Sequence, residues 1–136
     1  MTPTLLLDTH IWLWWILGQS ELSKKERAAL DAMAASGSPP SLAAISLWEA
    51  QMLMHKGRLK IDEPLTHWLP TAAAPDAVTL IPMDVQVILA LDTLPISFHG
   101  DPADRIIVAT AKAMGLPLAT HDINIRRSRA VKIWKP

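Results

Sequence analysis

The chain has no cysteine among its 136 residues. That excludes a disulfide framework and thiolate metal sites, and it suits a reducing compartment. Charge bias is missing too: 13 Lys and Arg stand against 13 Asp and Glu. No global field draws the protein onto nucleic acid or an anionic membrane, so any polyanion contact must come from a local patch. Long apolar runs are absent. In "MTPTLLLDTHIWLWWILG" the uninterrupted stretch from Ile11 to Leu17 is seven residues, against the roughly twenty that span a bilayer. Asp8 and His10 break the run and no basic segment precedes it, which argues against a signal peptide. Neither GxGxxG nor GxxxxGK[ST] occurs, which disfavours dinucleotide enzymes and P-loop NTPases. No Ser-His-Asp or Cys-His arrangement is suggested.

What is present fits one globular unit. Half of the residues are hydrophobic, enough for a sizeable core, and the length predicts a single domain over 1–136. The expectation is a soluble cytoplasmic protein without a membrane partner.

Leu5 to Leu7 reads as a buried strand ending at Asp8. Thr9 is placed to cap a helix from about His10 to Leu17, closed by Gly18. Ser23 to Ser36 predicts an amphipathic helix with Ser23 and Glu26 as its capping box. Ser41 to Ile45 predicts a second strand, and Ser46 to Lys56 the helix after it. Pro64 to Leu69 is a short helix limited by Pro70. Ala77 to Ile81 is a third strand and Asp84 to Leu94 a helix. After "PISFHG", the segment "DPADRIIVATA" starts a buried helix that ends at Gly115. Leu116 to Thr120 is a fourth strand, ending at His121 and Asp122, and Val131 to Trp134 a candidate fifth. Strands alternating with helices predict an α/β domain, with a central, mainly parallel sheet of four to five strands and helices on both faces.

In such sheets ligands bind beyond the carboxyl ends of the strands. Asp8 and Asp122 end the first and fourth strands. Glu49 lies one turn into the helix leaving the second strand, and Asp104 in the first turn of the buried helix. Each acid also has an ordinary local use. Ser46 to Glu49 reads as a capping box, Asp122 as a cap for "INIRR", Asp8 as a turn residue, and Asp101 with Asp104 as a helix start. Taken together they predict a shared cleft, provided the loop before Asp101 passes over the same rim. Like charges that close oppose folding. A hard cation such as Mg²⁺ or Mn²⁺ relieves the repulsion, and acts naturally on phosphodiesters.

In their order, "LLLDTHIWLW", "AAISLWEAQML", "DPADRIIVATA" and "LATHDINI" resemble the PIN-domain ribonucleases, specifically the VapC-type toxins of toxin–antitoxin pairs. The likeness runs from Thr4 to about Trp134. It implies an α/β/α sandwich and an endoribonuclease that depends on Mg²⁺ or Mn²⁺. It also implies a homodimer, held inactive by a cognate VapB-type antitoxin. Position by position, it assigns Asp8, Glu49, Asp104 and Asp122 as catalytic and metal-binding acids. It leaves Asp101 as a cap and supporting acid, and Thr9 and Thr120 as hydroxyls that orient water or a carboxylate.

The strongest charge cluster, "IRRSRAVKIWK", offers Arg126, Arg127 and Arg129 for RNA phosphates, or else forms a solvated face. Lys56, Arg58 and Lys60 make a weaker one. Trp12, Trp14 and Trp15 cannot share one face of a helix, so core packing, a partner contact and base stacking all stay open. His121 is read as an exposed loop residue. Two rival functions stand beside the nuclease: a catalytically silent PIN-like RNA- or protein-binding module, and a Mg²⁺-dependent aspartyl-phosphate phosphatase.

Overall fold

The structure, a computed structural model, describes residues 3–95 and 101–136. Among these residues, four short runs form the sheet: β1 (Leu6–Leu7), β2 (Ser41–Ala43), β3 (Thr79–Ile81) and β4 (Leu118–Ala119). All pairings are parallel, in the order β3-β2-β1-β4. Leu6 lies opposite Ser41 and Leu118, and Leu7 opposite Leu42 and Ala119. The α/β class and parallel sheet are therefore as expected.

Among the described residues, seven helices surround the sheet: α1 (Thr9–Ile16), α2 (Lys24–Ala35), α3 (Ile45–His55), α4 (Leu65–Ala72), α5 (Val85–Asp92), α6 (Pro102–Met114) and α7 (Ile123–Ser128). The period of two along a strand explains the unbroken leucines of β1. Leu5 and Leu7 enter one core, with Trp12, Trp15, Leu42 and Trp68. Leu6 enters the other, with Ala43, Ile107, Val108 and Leu118. A strand buried on both faces must be apolar at every position.

Local signals account for most helix ends. Ser23 accepts from the Glu26 N–H at 3.0 Å while Glu26 accepts from the Ser23 N–H at 2.9 Å, so the expected capping box forms. Gly115 closes α6 at φ 65°, a left-handed turn that costs glycine little.

Three expectations need correction. The Val131–Trp134 strand reduces to a single bridge, Leu118 to Ile133, because β4 is two residues long and offers its outer edge little to pair with. α4 runs past Pro70 to Ala72. Pro70 forfeits one donor, yet Trp68 and Ala72 are buried, and the Ala72 carbonyl accepts from Trp12 Nε1 at 2.9 Å. At α3 the cap position falls on Ala44, with no side-chain cap bond. Ser46 is thus inside the helix, and Ser46 and Glu49 are free of the capping box predicted for them. The path of the loop 96–100, on which Asp104's place in the shared cleft was expected to turn, lies outside the described residues. Among the described residues, no helix is long and apolar enough to cross a membrane.

Candidate metal centre

β1 ends at Asp8, which caps α1 and is only 2% exposed. Thr9 was expected to cap that helix; instead the Thr9 N–H donates to Asp8 Oδ1 at 2.8 Å. The other oxygen, Oδ2, accepts from the Thr120 hydroxyl at 2.7 Å, where β4 has just ended. Both oxygens of a buried carboxylate are satisfied, as burial requires. Burial nonetheless pushes its carboxyl up, against the opposing pull of His10 and these hydrogen bonds.

Thr9 itself is buried and works at the centre of the site. Its hydroxyl donates to Glu49 Oε1 and lies 2.8 Å from Ser46 Oγ. A hydroxyl has one proton, so with that proton on Glu49 the Ser46 hydroxyl must donate to Thr9. Ser46 and Glu49, three apart on α3, share a face, and this relay holds the Glu49 carboxylate in place. Sequence reasoning missed Ser46 because the same spacing spells a capping box. Burial raises the Glu49 carboxyl, the Thr9 bond lowers it, and Asp8 and Asp101 raise it further.

Asp101 and Asp104 come from the start of α6. Asp101 caps the helix by accepting from the Asp104 N–H at 2.8 Å. It also stands among the acids: one carboxylate oxygen each from Glu49, Asp101 and Asp104 all lie within 4.8 Å of one another. Capping and membership of the cluster coexist, because a cap uses one oxygen and leaves the other. Asp104 is pushed up to about 7, first by burial and then by Asp8, Asp101, Glu49 and Asp122. Four neighbouring acids therefore act on one side chain.

Asp122 joins through its field. Its Oδ1 is committed to capping α7, accepting from the Asn124 and Ile125 N–H groups at 2.9 and 3.0 Å. Its own N–H donates to Thr120 Oγ1 at 3.0 Å, so Thr120 ties Asp8 and Asp122 together. Oxygen-only donors with mutual repulsion suit a hard divalent cation, and Glu49, Asp101 and Asp104 could hold one, with Asp8 and Asp122 beside them.

Of the three arginines expected to meet phosphate, Arg126 is tied to the segment that carries Thr120 and Asp122. Its Nε donates to the Thr120 carbonyl at 2.9 Å. Arg126 and Arg129 line an open groove of about 870 Å³ with Lys132, Trp134 and Lys135. Arg127 is exposed on α7 and does not line it.

Thr120→Val tests how much Asp8 depends on its donor. Removing the hydroxyl leaves a buried carboxylate oxygen short of a partner. The expected loss is about 1–3 kcal/mol of stability, read as a lower urea midpoint of the metal-free protein with an unchanged m-value.

The chain matches the PIN domain over residues 5–130. It is 34% identical over 134 residues to Ribonuclease VapC22 of Mycobacterium tuberculosis, covering 96% of this chain and 98% of that protein. Among solved structures, VapBC2 from Rickettsia felis bound to a DNA fragment from its promoter superposes with a TM-score of 0.70 at 18% identity, covering 96% of this chain and 97% of the other. DNA-bound VapBC from Salmonella typhimurium gives 0.70 at 17%, covering 97% of each chain. With its parallel sheet, its acids gathered from four separate segments and these likenesses, the chain belongs to the PIN-domain family, among the VapC-type members.

Proposed function

We propose that this protein is an endoribonuclease toxin, dependent on Mg²⁺ or Mn²⁺, that acts in the cytoplasm and is restrained by a VapB-type antitoxin. The observation that carries the reading is the convergence of Glu49, Asp101 and Asp104 within 4.8 Å, with Asp8 and Asp122 close enough to raise Asp104. Such crowding disfavours folding unless a cation offsets it. The likeness to a protein named as a ribonuclease supports the choice of RNA.

In this reading Asp8, Glu49, Asp104 and Asp122 are the catalytic and metal-binding acids, and Asp101 completes the set. Thr9 and Thr120 hold Glu49 and Asp8 in orientation through their hydroxyls. When bound, the ion supplies Lewis acidity to the phosphodiester and to the attacking water. Arg126, Arg127 and Arg129 place cations at the rim for the flanking phosphates, giving affinity without sequence information. The phosphatase reading loses ground on Asp8: its nucleophile would have to reach a substrate from a side chain only 2% exposed.

The VapBC complexes among the structural relatives support an antitoxin partner. A homodimer belongs to the same reading. Val85, Ile88 and Leu89 are exposed at helical spacing along α5, an apolar stripe of the kind that a partner covers.

The decisive test incubates purified protein with total RNA. Cleavage is expected with Mg²⁺ or Mn²⁺ and should stop in excess EDTA. Cleavage that persists in EDTA defeats the metal-centred reading, and no cleavage with either ion leaves the silent module in its place.

A further inference from the structure

A groove of about 490 Å³ runs between α1 and the end of α3, lined by His10, Trp14, Leu53, Arg58 and Lys60, with Glu21 as its acid. Its volume falls in the range of about 300–1,000 Å³ typical of small-molecule sites. It opens one side chain away from the acids: His10 lines it, and His10 Nδ1 is 3.5 Å from Asp8 Oδ2.

Trp14 differs from its neighbours. Trp12 and Trp15 are buried, and their indole N–H groups donate to the Ala72 carbonyl and to Asp31 Oδ1. Trp14 is half-buried, and among the described residues its indole N–H has no protein acceptor. Two rings hold it. The His10 ring lies 4.9 Å away, tilted by 56°, and the His121 ring 5.1 Å away, edge-on at 80°. Both histidines are themselves tied down. The His121 N–H donates to His10 Nε2 at 2.9 Å, and His121 Nε2 lies 2.8 Å from Glu26 Oε2. An indole fixed beforehand loses little conformational freedom when a ligand stacks on it.

We propose that this groove is a subsite for an unpaired nucleotide of the RNA substrate, whose base stacks on Trp14 while Arg58 and Lys60 meet the adjoining phosphates. The proposal rests on the nuclease reading and adds to it a place on this chain where one base of the substrate is held. Every base offers a π-face to an aromatic ring, but in a duplex those faces are already stacked on one another. Two cations against one acid give the groove a local positive balance within a neutral chain, as a phosphate track requires.

The test uses the full chain carrying Asp104→Asn, in Mg²⁺, with a fluorescein-labelled single-stranded oligoribonucleotide and the same strand in a duplex. Adding Trp14→Ala is expected to weaken single-strand binding about 10- to 100-fold, the range of base–aromatic stacking, while Trp14→Phe retains most of the affinity. Arg58→Glu with Lys60→Glu, both exposed, should weaken binding and flatten its salt dependence, and this pair tests the groove even if Trp14→Ala does not fold. Binding within twofold of the parent in every folded variant overturns the subsite and marks the groove for a protein partner. An equal loss for the duplex also overturns it. Trp14-dependent binding by a wild-type chain that cleaves no RNA would keep the subsite and defeat the nuclease reading, so the two failures are distinguishable.

Discussion

Asp104→Asn is expected to silence RNA cleavage and, at the same time, to raise the melting temperature of the metal-free protein. Loss of activity should exceed about 100-fold, because even partners outside the ligand shell of a metal site cost 10- to 100-fold. The gain in stability follows from the crowding. Asp104 is raised to about 7 from an ordinary 3.8, by burial and by four neighbouring acids, so at pH 8 its ionised form is held against a penalty that asparagine removes. The side chain is only half-buried, and solvent screening reduces the gain to about 1–2 kcal/mol. For a chain of this size that is roughly 3–8 °C. Differential scanning calorimetry in EDTA, beside a cleavage assay in Mg²⁺, reads both effects. An Asp104→Asn protein that melts lower than wild type would make Asp104 a structural residue and remove the central acid from the site.

The parts of this protein that were legible in its sequence are those decided by neighbours along the chain. The Ser23–Glu26 box and the Gly115 stop each need only a few residues of context. The strands β1 and β4 announce themselves because burial on two faces demands unbroken apolar runs. The convergence of Asp8 and Asp122 on one rim follows from parallel strands. What stayed hidden was decided across the fold. Ser46 has the spacing of a cap with Glu49, and only its pairing with Thr9, 37 positions away, places it beside the acids, where Glu49 was expected. The place of Asp101 beside Glu49 depends on how α6 crosses the sheet edge, which no local pattern encodes. The same holds for the chain from Glu26 through His121 to His10, whose bonds span 95 and 111 positions. His121 is exposed and outside any helix or strand, as expected; its partners stayed hidden because none of them is near it in sequence.

The stability of the metal-free protein is expected to fall as pH rises from about 5 to about 8, and a divalent cation should reverse the trend. Between an unfolded value near 3.8 and a folded value of about 7, the native state holds more of Asp104's proton than the unfolded chain does. Stability therefore declines with rising pH across that window and bears the whole penalty above it. Asp8 and Glu49, also raised, act in the same direction. His10 opposes them: burial lowers it from 6.5, so the unfolded chain takes its proton more readily and acid works against the fold below that value. The metal-free protein should thus be most stable in mildly acidic solution. Cation binding requires ionised carboxylates and releases their protons, so affinity for Mg²⁺ or Mn²⁺ should strengthen toward pH 8. At a hundred times its dissociation constant the ion contributes about 2.7 kcal/mol, enough to offset the repulsion it replaces. Urea midpoints at several pH values, in EDTA and in Mn²⁺, give the two slopes. Asp104→Asn should flatten the metal-free slope, because the proton whose uptake produces it is gone. A flat profile in the wild-type protein, with the same metal shift at both ends of the range, would mean that these carboxylates do not share one ion.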